Sequence, residues 1–303
     1  MKIFVWLLLA LIWSSTWIFI KVGLKDLPPF GFVSLRFLLA AAVLAPFVLF
    51  RKGGGLPKSR TEWKLLGLTG VLQFTLNYSS VFWAEQYITS GLAAVLQAMI
   101  VVFGLILAWI FLPSEKITAQ KIIAVVAGVI GVAVIFVDQL GVHDKMAFAG
   151  CVAIVLGAYA AAQSSILVKA KASDIRPEAI VFWQMVCGLP PIIIYSLSTE
   201  GSPMNYRWSL AAVGCILYLG VIGTVLAFYS YYWLLNRIES TSAMMISLVT
   251  PLLAVVIGWL VLGETLPAQT GFGGILIIAS VALLVFKRKG SPVPTNLAKE
   301  PEL

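Results

Sequence analysis

The chain has 303 residues, of which 60% are hydrophobic and only 11% charged, with a mean hydropathy of +0.99. A soluble domain of this size needs far more polar surface, so that class is excluded. The net charge of +8 does not indicate a nucleic-acid partner, because twenty of the 21 basic residues fall at the ends of apolar segments or in their connections.

Ten apolar segments of about 17 residues or more, long enough for a hydrocarbon core of roughly 30 Å, take up most of the chain. Segment 1 (3–20) follows Lys2 and runs on through Trp13–Ile20 with no small-x-small cleavage site, so a retained helix is expected rather than a signal peptide. It carries Ser14, Ser15 and Thr16 between Trp13 and Trp17, which stand one turn apart on one face. Segment 2 (30–50) follows Pro29 and contains Pro46 and Arg36, the one basic residue well inside a span. At that depth Arg36 either snorkels to the near interface or lines a cavity, where it would attract a carboxylate. Segment 3 (65–83) sets Gln73 and Asn77 four residues apart with Tyr78 adjacent, and Glu85 stands at its far end. Segment 4 (91–112) contributes Gln97, and Glu115 follows in a turn, where it is expected to cap segment 5 (118–137).

Segment 6 (147–168) repeats the four-residue polar spacing with Tyr159 and Gln163. Segment 7 (178–199) holds Gln184, Pro190 and Pro191; segment 8 (209–234) holds Tyr229 and Tyr232; segment 9 (241–262) holds Pro251; segment 10 is 270–286. The internal prolines permit bends, either hinges or fixed kinks. Gly128, Gly131, Gly271 and Gly274 are expected to allow close helix packing. Trp6, Trp63, Trp208 and Tyr87, near segment ends, suit an interfacial aromatic belt. The polar tail after Phe286 is expected to be disordered.

The basic residues also predict topology. Sixteen lie on one side if segments alternate, counting the N-terminus, the connections after even-numbered segments and the tail, while four lie on the other. By the positive-inside rule both termini are then cytoplasmic. The second half repeats the first. At an offset of 148, Lys21 matches Lys169, Pro29 matches Pro177 and Arg36 falls opposite Gln184; at 150, Trp83 matches Trp233, Ser90 matches Ser240 and Trp109 matches Trp259. Five segments per copy is an odd number, so the copies enter the membrane from opposite sides, an arrangement typical of alternating-access carriers.

The stretch GLAAVLQAMIVVFGLILAWIFLPSEKITAQKIIAVVAGVIGVAVIF and its partner STSAMMISLVTPLLAVVIGWLVLGETLPAQTGFGGILIIASVALLVF resemble the two EamA units of the drug/metabolite transporter superfamily, as does the opening IWSSTWIFIKVGLKDLPPFGFVSLRFLLAA. One departure is Leu-Pro-Ser-Glu in the first unit where the second keeps the family's Leu-Gly-Glu turn. The resemblance implies an all-α membrane protein of ten transmembrane helices in two inverted five-helix repeats. The first repeat covers 1–138, the second 139–286, and 287–303 is a cytoplasmic tail. It further implies residence in a prokaryotic inner membrane and export of small metabolites, often amino acids or their relatives.

The residues bear on mechanism directly. Polar side chains in a bilayer normally face the bundle interior, so Trp13, Trp17, Arg36, Gln73, Asn77, Tyr78, Gln97, Tyr159, Gln163, Gln184, Tyr229 and Tyr232 are the candidate substrate-binding set, with helix-to-helix bonding the competing role for Gln73, Asn77 and Gln163. Such a cavity suits a zwitterion, an aromatic metabolite or a small organic cation better than a polyanion. No Asp or Glu sits near the centre of a segment, which leaves Glu85 as the nearest candidate for proton coupling. Cys151, Cys187 and Cys215 lie within segments, and His143 is the sole histidine, so neither a metal site nor a cofactor is expected. Without a Ser-His pair, a paired-Asp motif or H-E-x-x-H in a span, enzymatic activity is not expected. The partners expected are a small-molecule substrate and the lipid bilayer, with no obligate protein partner indicated. The alternatives are a multidrug or organic-cation efflux carrier and a non-transporting receptor or scaffold.

Overall fold

The computed structural model describes residues 1–50, 55–88, 90–139, 145–262 and 268–285, and within these the chain is helical with no strand. His143 and Glu264 lie outside the described residues. In hydrocarbon every backbone N–H and C=O must be paired within the segment, and helices do this. In the first half the helices are α1 (Lys2–Gly23), α2 (Pro29–Leu49), α3 (Arg60–Gly70), α4 (Tyr78–Ala84), α5 (Ser90–Gln97), α6 (Met99–Phe111) and α7 (Ala119–Ile135). In the second they are α8 (Lys145–Lys171), α9 (Pro177–Thr199), α10 (Leu210–Gly220), α11 (Ala227–Leu235), α12 (Ser240–Met244), α13 (Ile246–Leu262) and α14 (Ala268–Val285). Among the described residues six helical runs are long and apolar enough to cross a membrane, and shorter apolar helices accompany them.

Two departures from regular helix recur at matching places. A π-helical stretch, Val71–Asn77, joins α3 to α4, and another, Val221–Leu226, joins α10 to α11. Each follows a helix opened by a serine cap: Ser59 accepts from Glu62 N, and Ser209 from Ala212 N. The helix ladder also breaks at Ala98 between α5 and α6, and at Met245 between α12 and α13.

Packing is reciprocal between the halves. α2 packs on α9 and α7 on α14; α6 lies on α8 as α13 lies on α1. Glycines make the α7–α14 crossing and that of α3 on α9 close. A Cβ on Gly131 would stand 2.8 Å from Gly273 O, and one on Gly70 would stand 2.3 Å from Gln184 O. Gly128 also lies at such a crossing, against Leu248 and Ser280, whereas Gly271 faces open space.

Acidic side chains from one half cap helices of the other. Glu200 accepts from Phe30 N at 2.9 Å and Gly31 N at 2.6 Å at the start of α2. Glu115 does not cap the helix that follows it, contrary to the sequence expectation. Thr118 caps α7 by accepting from Lys121 N, and Glu115 turns to Ser240 N, at the start of α12. Trp6 departs from the belt role as well, because its indole N–H donates to Ser242 O at 3.0 Å and ties α1 to α12.

Candidate functional site

A cavity spanning about 880 Å³ of non-atom space, counted out to its mouth, lies between α1, α2, the Val71–Asn77 stretch, α4, α5, α6, α8, α11, α12 and α13. Seven residues singled out in the sequence line it: Trp13, Trp17, Arg36, Gln73, Asn77, Tyr78 and Gln97. Gln73 and Asn77 come from the π-helical stretch, whose wider turn keeps residues four apart nearly in line. Across the cavity the Gln97 amide donates to Asn77 Oδ1 at 3.0 Å.

Arg36 is 1% exposed, so it lines the cavity rather than snorkelling. Its Nε donates to Thr224 Oγ1 at 2.8 Å and its Nη2 to Gly223 O at 3.1 Å. The Thr224 hydroxyl donates onward to Leu219 O at 2.8 Å, which leaves its oxygen free to accept from the guanidinium. Gly223 and Thr224 both belong to the second π-helical stretch, Val221–Leu226. The guanidinium carbon also stands 4.9 Å from the centre of the Tyr78 ring and 5.2 Å from that of Phe37. Its Nη1 makes no hydrogen bond of regular geometry, although the Tyr78 side chain also lies close enough to act as a hydrogen-bond partner of the guanidinium. Around it, Trp13 packs on Phe228 and Tyr231 with centroids 5.8 and 5.4 Å away, and the Trp13 N–H makes no hydrogen bond.

The other candidates lie elsewhere. Gln184 and Tyr232 are fully buried and bond to each other, Tyr232 O–H donating to Gln184 Oε1 at 2.7 Å. Tyr159 and Tyr229 are 40% and 41% exposed, and Tyr159 stacks edge-on with Phe103. Gln163 is half-buried and outside the cavity lining. Glu85 follows the end of α4, one turn beyond the cavity residue Val81, and is not itself part of the lining. Thr16, noted on segment 1 but not placed in the candidate set, lines the cavity as well, and residue type alone missed Ser165, Phe228, Tyr231, Ser247 and Thr250, which also line it. In the run FYSYYW, helical phase brings Phe228 and Tyr231 inward while Tyr229 faces out, and the preceding π turn sets that phase.

At the end of the bundle that carries residue 1, polar bonds seal the helices. Glu115 holds Ser240 through N–H at 3.0 Å and Oγ–H at 2.5 Å, and pairs with Lys169 at 2.6 Å. Lys169 also donates to Ile238 O, Lys121 pairs with Glu239 at 3.2 Å, and Lys2 donates to Arg237 O at 3.1 Å. Cavity residues Ile20, Val81 and Ala94 lie towards the opposite end.

A bundle of apolar spans around a cavity lined by polar and aromatic groups and by Arg36 is the architecture of a multi-pass membrane transporter. Sequence comparison makes the assignment specific. The chain belongs to the EamA-like transporter family, matched over residues 1–137 and 148–286, and is accordingly a transporter and not an enzyme. It is 27% identical over 278 residues to the uncharacterized transporter YoaV of Bacillus subtilis, covering 91% of this chain and 94% of that one. It is 29% identical over 293 residues to a probable amino-acid metabolite efflux pump of Salmonella typhimurium (93% and 94%). With the uncharacterized inner membrane transporter YedA of Escherichia coli it shares 27% over 281 residues (92% and 89%). A solved crystal structure has the same fold, with a TM-score of 0.78 at 16% identity, covering 93% of this chain and 96% of that one.

Proposed function

We propose that the chain is a ten-span carrier built from two inverted five-helix repeats, 1–138 and 139–286, with a tail at 287–303. It exports a small organic metabolite, an amino acid or a related compound, across a prokaryotic inner membrane by alternating access. The observation that carries this reading is the central cavity between the halves, with the bundle sealed at the end that carries residue 1. Reciprocal packing and the paired π-helical stretches support the repeat. The 16-to-4 distribution of basic residues favours cytoplasmic termini, so that the sealed end faces the cytoplasm. Relatives named as probable amino-acid metabolite efflux pumps support the substrate class and the direction. Organic-cation efflux is the weaker reading, because Arg36 puts a positive charge on the cavity wall.

The test is an overexpression screen for resistance to amino acids, their analogues and toxic cations, followed by flux of the hits in proteoliposomes with and without a pH gradient. Flux of a metabolite supports the carrier. Absence of flux across the whole panel, together with a stable protein partner, would favour a receptor or scaffold. A reporter fused to each terminus checks the orientation.

A further inference from the structure

We infer that the transported species is a small monocarboxylate of net charge −1, such as a 2-hydroxy acid or an N-acylated amino acid, in preference to a zwitterion or a cation. This rests on the carrier reading above and deepens it by naming the charge state of the solute.

Among the described residues that line the cavity, Arg36 is the one permanently charged group and none is Asp or Glu. A guanidinium stays protonated, and burying it without a carboxylate leaves its charge uncompensated. Thr224 and Gly223 satisfy Nε and Nη2 with neutral oxygens, which orient the group without neutralising it. Two buried donors on the cavity wall make no hydrogen bond of regular geometry, Arg36 Nη1 and the Trp13 indole N–H. A carboxylate supplies what both lack, an acceptor carrying the opposite charge.

At the same site Gln97 Oε1 is a buried acceptor with no partner, its amide nitrogen being committed to Asn77. A hydroxyl or an amide N–H on the solute would satisfy it. An ammonium would bring a second positive charge into a cavity whose described lining holds no acid, the nearest in sequence, Glu85 at the end of α4, standing one turn beyond Val81. The Tyr78 face, one of the rings on which a cation could rest, already carries Arg36. Trp13, Trp17, Phe228 and Tyr231 make the rest of the wall suited to an aromatic or apolar body.

The experiment uses four probes sharing one phenyl body: 3-phenyllactate and N-acetylphenylalanine (each −1), phenylalanine (zwitterionic) and phenethylamine (+1). Affinity is read from thermal stabilisation of the purified full-length protein, and transport from counterflow in proteoliposomes. The two anions are expected to bind at least about tenfold tighter than phenylalanine, a difference of roughly 1.4 kcal/mol, with phenethylamine weakest. Arg36→Gln should remove this ranking and Arg36→Lys should restore part of it. The methyl ester of phenyllactate, tested on the unaltered protein, should fail to compete, so the result does not depend on a variant folding. Equal or tighter binding of phenylalanine or phenethylamine, competition by the ester, or binding of none of the four overturns the inference. Transport of phenylalanine without the anions leaves the carrier reading standing, whereas that reading falls only with the wider flux panel.

Discussion

Glu115→Gln isolates the charge in the contact that seals the bundle. The native carboxylate accepts the Ser240 N–H at 3.0 Å and the Ser240 hydroxyl at 2.5 Å while pairing with Lys169 at 2.6 Å, and Glu115 is 6% exposed. Glutamine keeps one oxygen for Ser240 but deprives Lys169, whose side chain is 17% exposed, of its contact ion partner, leaving Glu239 as the remaining acid near it. Breaking a fully buried pair from one side costs about 3–5 kcal/mol. Lys169 keeps its bond to Ile238 O and some solvent, so about 2–3 kcal/mol is expected. Adding Lys169→Met removes the stranded charge, and the double variant should be more stable than Glu115→Gln alone, with a coupling of about 1–3 kcal/mol. Thermal unfolding in detergent, followed by tryptophan fluorescence, gives the ranking. Because these bonds join residue 115 to residues 169 and 240 of the other half, loosening them should also raise the reactivity of an Ala243→Cys reporter towards an impermeant maleimide. Unchanged melting and unchanged labelling in Glu115→Gln would refute a sealing role.

Arg36→Gln should insert and fold but abolish transport, and unaltered uptake kinetics in proteoliposomes would show that the guanidinium is not used. Thr224→Val removes the acceptor of Arg36 Nε, at a cost of about 1–3 kcal/mol. It should raise KM for the transported solute more than it slows turnover, and Thr224→Ser should rescue it. Gly70→Ala forces a Cβ to within 2.3 Å of Gln184 O and should destabilise by about 1–3 kcal/mol or more, whereas Gly271→Ala meets open space and should leave the melting temperature unchanged.

The positions of the spans are legible in the sequence because the bilayer demands long apolar helices whatever their partners. Segment 6, expected at 147–168, is found as Lys145–Lys171, and segment 7, expected at 178–199, as Pro177–Thr199. The π-helical stretches are not legible, since VLQFTLN and VIGTVL contain nothing that a regular helix would reject. That omission carries into the site, because a helix with one extra residue per turn presents a different face afterwards. Tyr231 lines the cavity, whereas Tyr229 faces outward and Tyr232 pairs with Gln184. Glu115 is a similar case, for its partner Ser240 is 125 residues away and the nearer helix start already has Thr118 as its cap. Arg36 could be found from sequence because a charge inside a span is rare enough to stand out, but its two roles separate only once its 1% exposure is known.

On the two-repeat reading proposed above, the halves share a scaffold but differ in charge. Arg36 reaches across to the second π-helical stretch, where Thr224 and Gly223 receive it. The matching position, Gln184, stays within its own half and takes the Tyr232 hydroxyl. The residue that matches Thr224 at the offset of 150 is Phe74, which has no hydroxyl to offer a guanidinium at position 184. Acceptor and charge are thus both absent at the matching positions, and the cavity is polarised towards one side although the helices around it pack reciprocally. On the inference above, a solute that follows this polarity would bind with its acceptor towards Arg36 and Trp13 and its donor towards Gln97. Selectivity would then sit where the two halves differ, while the features they share, from the serine caps to the helix crossings, would maintain the frame.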